Sequence, residues 1–281
     1  MFNLLHTFHP TPILLSLGPV HIYWYGFFIV LATLAALATA IYLAKFYQIK
    51  TDTIIDLAFW LIIAGLIGAR IYDILAEWPY LWQHPLDIFK IWQGGLAIHG
   101  AIIGGAIALW WFAKKHNHNF WQLAAIIATV LPLAQAIGRW GNYFNQELFG
   151  YPANLPWGIP IDILNRPRQF LSYEYFHPTF LYESLGEFFI FVILIALFCS
   201  VRRKSASHQF QISNFKFQIS VYFLLYSLLR FFLEFIRVDA TPVILGLRLP
   251  QLVSLLIIAA CLAYWLQKFI RKAKPKPALD K

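Results

Sequence analysis

Residues 22–44 run for 23 positions without one charged side chain. As a helix that stretch would reach about 34 Å, more than the roughly 30 Å of a bilayer's hydrocarbon core. Inside lipid no water is present to satisfy peptide N–H and C=O groups, so a spanning segment of this kind is helical. Two further stretches read the same way, residues 120–139, charged only at the last position, and residues 249–267. Four more are long enough but carry embedded polar groups. These are residues 54–75 with Asp56, Arg70 and Asp73, 95–113 with His99, 179–200 with Glu183 and Glu187, and 219–236 with Arg230 and Glu234.

The expected fold is therefore an all-α polytopic membrane protein with about seven transmembrane helices, forming one integral membrane domain over residues 1–281. A composition of 60% hydrophobic, 18% aromatic and 12% charged residues excludes an ordinary soluble globule, which has nowhere to hide that much apolar surface. Cys199 and Cys261 sit within or at the end of apolar runs, without the spacing of a zinc or redox pair, and read as small buried hydrophobes. The N-terminus lacks a basic n-region, and its first apolar run is too long for a signal-peptide core, so it reads as the first span.

Lys and Arg alternate between poor and rich loops. Fourteen fall on one side of the expected spans and three on the other, leaving Arg70, Arg139, Arg230, Arg237 and Arg248 inside or near span ends. Basic loops mark the cytoplasm, so the N-terminus is expected outside and the C-terminus inside, with residues 268–281 as a basic cytoplasmic tail. Anionic lipid headgroups account for the net charge of +9 without a nucleic-acid partner. Residues 142–177, rich in Pro, Gly, Asn and aromatics, are too polar to span and read as a small extracytoplasmic cap. Residues 77–92, with Trp78, Tyr80, Trp82 and Trp92, have the composition of an interfacial segment. Residues 205–220 read as a cytoplasmic loop without assigned function.

A charged group inside the membrane is costly, so embedded Arg, Glu and His mark protein interiors or wet cavities. Four clusters qualify. His99 stands among Gly94, Gly95, Gly100, Gly104 and Gly105, where small residues permit close helix approach. The run from Gly138 to Gly150 places Arg139, Asn142, Asn145, Gln146 and Glu147 within thirteen residues, a donor set suited to phosphate and glycerol oxygens. Gly141 acting as a helix stop, with Arg139 at the interface, explains the same run without chemistry. His177 and Glu183 open the fifth long span, where the helix dipole favours an acid. Tyr226, Arg230, Glu234 and Arg237 are spaced to line one helix face, which also fits a purely structural ion-pair ladder. On the expected topology these clusters lie toward one leaflet and converge.

The Gly138–Gly150 run, the Ile98-His99-Gly100 element, the Ile22-Tyr23-Trp24-Tyr25-Gly26 element and the Tyr226–Arg237 face resemble the signature motifs of the prolipoprotein diacylglyceryl transferases, and the resemblance extends through nearly the whole chain. It implies an inner-membrane enzyme that moves the diacylglyceryl group of phosphatidylglycerol onto the lipobox cysteine of a preprolipoprotein. By matching positions it implies His99, Arg139 and Arg230 as catalytic residues. Tyr25, Asn142, Glu147, Gly150, Tyr226, Glu234 and Arg237 are implied in substrate binding. Trp140, Tyr143 and residues 205–220 depart from the family pattern. The resemblance implies phosphatidylglycerol, the preprolipoprotein signal peptide and membrane lipids as partners. No metal-binding constellation or cofactor-binding domain is visible, so no cofactor is expected. In this reading Arg139 and Arg230 clamp the phosphate and His99, or a carboxylate, takes the thiol proton. A transporter would show repeated halves and broken helices. A structural subunit would not need the Arg, Asn and Glu cluster.

Overall fold

The structure is a computed structural model that describes residues 2–90, 94–202 and 208–273. Helix α1 (Phe2–Thr7) leads into a hairpin of β1 (Ile13–Leu17) and β2 (Val20–Tyr23), in which Leu17 pairs with Val20. Gly18, between them, has φ +59°, the left-handed conformation that a two-residue hairpin turn requires at its first central position. The first long helix consequently starts at Trp24 rather than at Ile22. The backbone N–H of Trp24 donates to Pro12 O at 3.0 Å, so the hairpin is fastened to the helix entrance.

The long helices are α2 (Trp24–Lys45), α3 (Thr51–Ala76), α5 (Ile98–Lys115), α6 (Phe120–Phe144), α7 (Thr179–Arg202), α8 (His208–Leu233) and α9 (Leu249–Ala273), with the short α4 (Trp78–Gln83) between α3 and α5. Two-stranded ribbons, β3 (Ile159–Pro160) with β4 (Tyr175–Phe176) and β5 (Val243–Ile244) with β6 (Leu247–Arg248), occupy the connections before α7 and α9. Among the described residues, α2, α3, α6, α7, α9 and the Ser213–Leu233 part of α8 are long and apolar enough to cross a membrane. The chain is an all-α multi-pass membrane protein.

α5 has only 18 residues, and His99, Lys114 and Lys115 dilute its apolar character. It nevertheless runs from one end of the bundle to the other. Ala97 N, at its start, donates to Ala69 O near the end of α3 at 3.2 Å. Its last turn buries Phe112 and Ala113 beside Leu43, Ala44 and Leu123, at the opposite end. Along the way its backbone lies directly against that of α3. A Cβ on Gly68 would run into Gly100 O and stand 3.1 Å from Gly104 Cα, and one on Gly100 would stand 2.6 Å from Tyr72 Cβ. Small residues at such a seam let the two backbones approach in a way no larger side chain allows.

α6 is the central pillar, packed against α2, α7 and α8. Its interior polar group Thr129 is buried and accepts from Gln218 Nε2 of α8 at 2.6 Å. Two apolar cores occupy the two ends of the bundle. One joins Leu43, Phe112, Leu123 and Phe198. The other joins Leu5, Tyr143, Phe149, Phe176 and Phe180, seating the irregular residues 145–178 over the opposite helix ends.

Several boundaries differ from the sequence reading. α6 continues five residues beyond Arg139, to Phe144, so Gly141 does not stop it. α8 begins at His208, so residues 208–220 are helix rather than loop, with Phe215 and Gln218 buried against neighbouring helices. Residues 205–207 lie outside the described residues, as do Trp92 of the interfacial segment and residues 274–281 of the expected basic tail. α8 also ends at Leu233, which places Glu234 and Arg237 in the turn beyond it instead of on a continuous helix face. Cys261 is buried as expected, but Cys199 lies on the outside of the bundle.

Candidate active site

Three arginines from two distant parts of the chain meet on one carboxylate. Glu183 lies in the second turn of α7 and is 3% exposed. Its Oε2 stands 2.5 Å from Arg139 Nε of α6, and its Oε1 accepts from Arg230 Nη1 of α8 and from Arg237 Nη1, each at 2.8 Å. Carboxylate–guanidinium contacts of this length are charge-assisted and strong in a water-poor setting. A second buried acid extends the network: Glu234 accepts from Arg230 Nη2 at 3.0 Å and lies 3.3 Å from Arg248 Nε.

The turn after α8 is what brings Arg237 and Arg248 into this array. Arg248, opening α9, donates from Nη1 to Glu234 O at 2.9 Å and to Arg237 O at 2.5 Å, and from Nη2 to Asp239 O, thereby capping carbonyls that the end of α8 leaves unpaired. Arg237 also pairs with Asp239 at 2.6 Å. Burial works against the charge on Arg237, but Glu183 and Asp239 outweigh it and its pKa lies above the ordinary arginine value.

The α6 cluster is folded back on itself. Arg139 Nη1 donates to Asn142 Oδ1 at 3.4 Å, and Asn142 Nδ2 donates to Glu147 Oε1 at 2.6 Å. Gly141, on the same stretch, allows Tyr25 of α2 to lie against α6, because a Cβ there would come within 2.9 Å of the Tyr25 ring. Tyr25, Arg139 and Asn142 then line one cavity of about 280 Å³ between α2 and α6. It shares Thr33 and Ala134 with an apolar cleft of about 220 Å³ bounded by α2, α3 and α6. A wall that carries Arg139 thus adjoins an apolar slot.

Gly150 has a structural task. Its N–H donates to His177 O at 3.0 Å, Tyr151 N–H donates to Ile236 O at 2.8 Å, and a Cβ on Gly150 would stand 2.7 Å from His177 Cβ and 2.9 Å from Ile236 O. The chain leaving α6 is thereby threaded between the segments that carry Glu183 and Arg237. His177 faces the Tyr182 hydroxyl at 3.3 Å, and burial pushes its imidazole below the ordinary value, so it is neutral near pH 7.

Of the residues singled out from sequence, the structure brings Arg139, Asn142, Glu147, Arg230, Glu234 and Arg237 into one hydrogen-bonded system, with Tyr25 on its cavity wall. Tyr226 precedes Arg230 by one turn and packs on Tyr222, with ring centroids 5.8 Å apart. His99 is not part of this system. It is exposed in the first turn of α5 and stacks on Tyr72 of α3, with ring centroids 5.6 Å apart, and none of its described contacts reaches an arginine of the network. Sequence reasoning placed Glu183 in a candidate cluster, with a helix-dipole role as the alternative, but assigned it no part in the site and left Arg248 and Asp239 out. Three embedded arginines near one leaflet, with few acids there to balance them, were the signal that could have marked Glu183 as their hub. Among the described residues no group of three or more His, Cys, Asp or Glu is placed to hold a metal ion.

The model of one protein family, prolipoprotein diacylglyceryl transferase, matches residues 12–267. The chain is 46% identical to the phosphatidylglycerol–prolipoprotein diacylglyceryl transferase of Nostoc sp. over 269 residues, covering 95% of this chain and 92% of the relative. It is 44% identical to the protein of the same name from Synechocystis sp. over 250 residues, 89% of this chain and 86% of the relative. Against that of Thermosynechococcus vestitus it is 40% identical over 265 residues, 94% of each chain. A family model over most of the chain and relatives at 40–46% identity along nearly its full length agree, and the chain belongs to the prolipoprotein diacylglyceryl transferase family.

Proposed function

We propose that the chain transfers the diacylglyceryl group of phosphatidylglycerol to the lipobox cysteine thiol of preprolipoproteins and releases glycerol phosphate, the first step of lipoprotein maturation. The thiolate sulfur attacks the glyceryl carbon, the bond from that carbon to the phosphate oxygen breaks, and the departing phosphate gains a negative charge. Arginines fixed beside it stabilise that charge most where water is excluded. The observation that carries the reading is Arg139. It is held by Glu183 and Asn142 on the wall of a cavity that adjoins an apolar slot at Thr33 and Ala134, and its Nη2 has no partner among the described contacts. That N–H is a donor for a phosphate whose acyl chains would lie along α2, α3 and α6. Arg230 supplies a second guanidinium within the same network. The thiol, with an ordinary pKa of about 8.5, needs only a modest base, and His99 or a carboxylate such as Glu147 takes its proton.

The test is direct. Purified protein given phosphatidylglycerol and a lipobox peptide, with no metal or nucleotide added, is expected to form the thioether-linked diacylglyceryl peptide, as read by mass spectrometry. A peptide with serine in place of the cysteine is expected to stay unmodified, because an alkoxide forms far less readily than a thiolate. Absence of transfer, or equal modification of the serine peptide, removes the proposal.

We further propose that the protein resides in the bacterial cytoplasmic membrane with its N-terminus outside, its C-terminus inside, and residues 145–178 on the outer face over the site. Basic side chains support this. Lys216, Lys114 and Lys115 lie over Trp121, Trp110 and Trp111, at the bundle end away from residues 145–178, where interfacial aromatics and cations mark the cytoplasmic boundary. A cysteine introduced within residues 154–168 is expected to react with a membrane-impermeant maleimide added outside spheroplasts. One within residues 272–281 is expected to react only after lysis. The reverse labelling would turn the topology over and place the site on the wrong face for secreted acceptors.

A further inference from the structure

A second cavity of mixed lining, about 740 Å³, lies among residues 145–149, 165–169 and 238–240. Its size falls within the roughly 300–1,000 Å³ of small-ligand sites. Two of its walls belong to the arginine network. Glu147 accepts from Asn142, which in turn faces Arg139, and Asp239 holds Arg237, which holds Glu183. The cavity therefore approaches the same charged centre as the α2–α6 cavity, but from the side of residues 145–178 instead of from between the long helices.

The lining tells what would fit. Glu147 and Asp239 face a single cation, Arg168, so an anionic headgroup is poorly served, and polar side chains alternate with the apolar Leu148, Phe149, Pro167, Val238 and Ala240. The side-chain amides of Asn145 and Gln169 have no partner among the described contacts, and each supplies donors and an acceptor. Unpaired amides beside small apolar surfaces such as Val238 and Ala240 suit a polypeptide main chain, which carries a donor and an acceptor at each residue and short side chains between. The floor is rigid. Gln146 and Leu148 are held at φ +52° and +56°, conformations non-glycine residues seldom adopt. Buried Gln146 locks the turn by donating to Pro10 O at 2.8 Å and to Asp162 Oδ2 at 2.7 Å and by accepting from Asp162 N–H at 2.7 Å.

We propose that this cavity receives the stretch of acceptor polypeptide that follows the reactive cysteine, an inference that rests on the reading of the chain as a thiol-lipidating transferase. The two substrates then reach one centre by separate routes of opposite character, the diacyl lipid between α2 and α6 and the aqueous part of the acceptor among residues 145–149, 165–169 and 238–240. An acceptor ending at its cysteine would leave the second route empty.

The test places a photo-crosslinking amino acid at Gln169, an exposed position, in the full-length protein, and supplies two lipobox peptides, one ending at the cysteine and one extended by six residues. The extended peptide is expected to crosslink and the short one is not. Gln169→Trp and Ala240→Trp, which fill the cavity, are expected to raise KM for the extended peptide about tenfold, the scale of one lost well-placed contact. Both variants should leave KM for phosphatidylglycerol and kcat within about twofold of the parent, a change worth less than 0.5 kcal/mol. Equal crosslinking of both peptides, no crosslinking of either, or a rise in KM for the lipid alone would overturn the assignment. Failure of the transferase reading looks different: the parent protein would then modify neither peptide, whatever the crosslinking pattern.

Discussion

Arg139→Lys is expected to lower turnover nearly as far as Arg139→Ala, by roughly 10²–10³-fold, the cost of removing one preorganised donor to a developing oxyanion. Arg139 uses its fork three ways, with Nε on Glu183, Nη1 on Asn142 and Nη2 left for the cavity. A lysine ammonium keeps the charge but reaches from a single point and cannot hold both partners while presenting a donor to phosphate. Folding should survive both substitutions, because Glu183 still has Arg230 and Arg237. The measurement is the initial rate of peptide modification per folded enzyme. A lysine variant retaining most of the activity would make Arg139 a point charge, and the clamp would be abandoned.

Glu183→Ala is expected to damage the fold itself. Removing the shared carboxylate leaves three guanidinium groups facing one another, and the Arg237 side chain is only 7% exposed. Breaking a buried ion pair from one side typically costs about 3–5 kcal/mol, much of it the uncompensated charge left behind. Glu183→Gln should be milder, since its amide oxygen still accepts a hydrogen bond though it no longer neutralises. Thermal unfolding of the detergent-solubilised protein should order parent, Gln and Ala from most to least stable. An Ala variant melting with the parent would show that the arginines do not depend on Glu183.

What the sequence revealed and what it hid differ by the distance over which partners are drawn. The apolar runs are local, and they placed the helix ends to within six residues except at the start of α8, which begins eleven residues before the expected span. The Arg139, Asn142 and Glu147 spacing is also local, and those three side chains do meet, with 2.6 Å between Asn142 and Glu147. The Arg230 and Glu234 spacing likewise gave a true pair at 3.0 Å, although the helix ends one residue before Glu234. Long-range partners were not legible. Gly141 resembles a helix stop until Tyr25 of another helix is seen against it. Glu183 has an adequate dipole explanation until residues 44 positions upstream and 47 and 54 positions downstream converge on it. The setting of His99 was equally hidden, for the sequence does not show that it lies on Tyr72 of α3 and apart from the arginines. The glycines around it, Gly100 and Gly104, serve the contact between α3 and α5.

That glycine contact bears on how the chain enters the bilayer during synthesis. A helix of 18 residues with a histidine in its first turn and two lysines in its last gains little from lipid by itself. What it gains comes from α3, whose Gly68 lies against Gly100 and Gly104 at backbone distance. α3 and α5 are therefore a helical hairpin in the biogenetic sense, the later arm being accepted by the membrane because the earlier one is already there to receive it. Substitutions along the seam are expected to lower the share of chains that hold α5 across the bilayer, before any substrate is met.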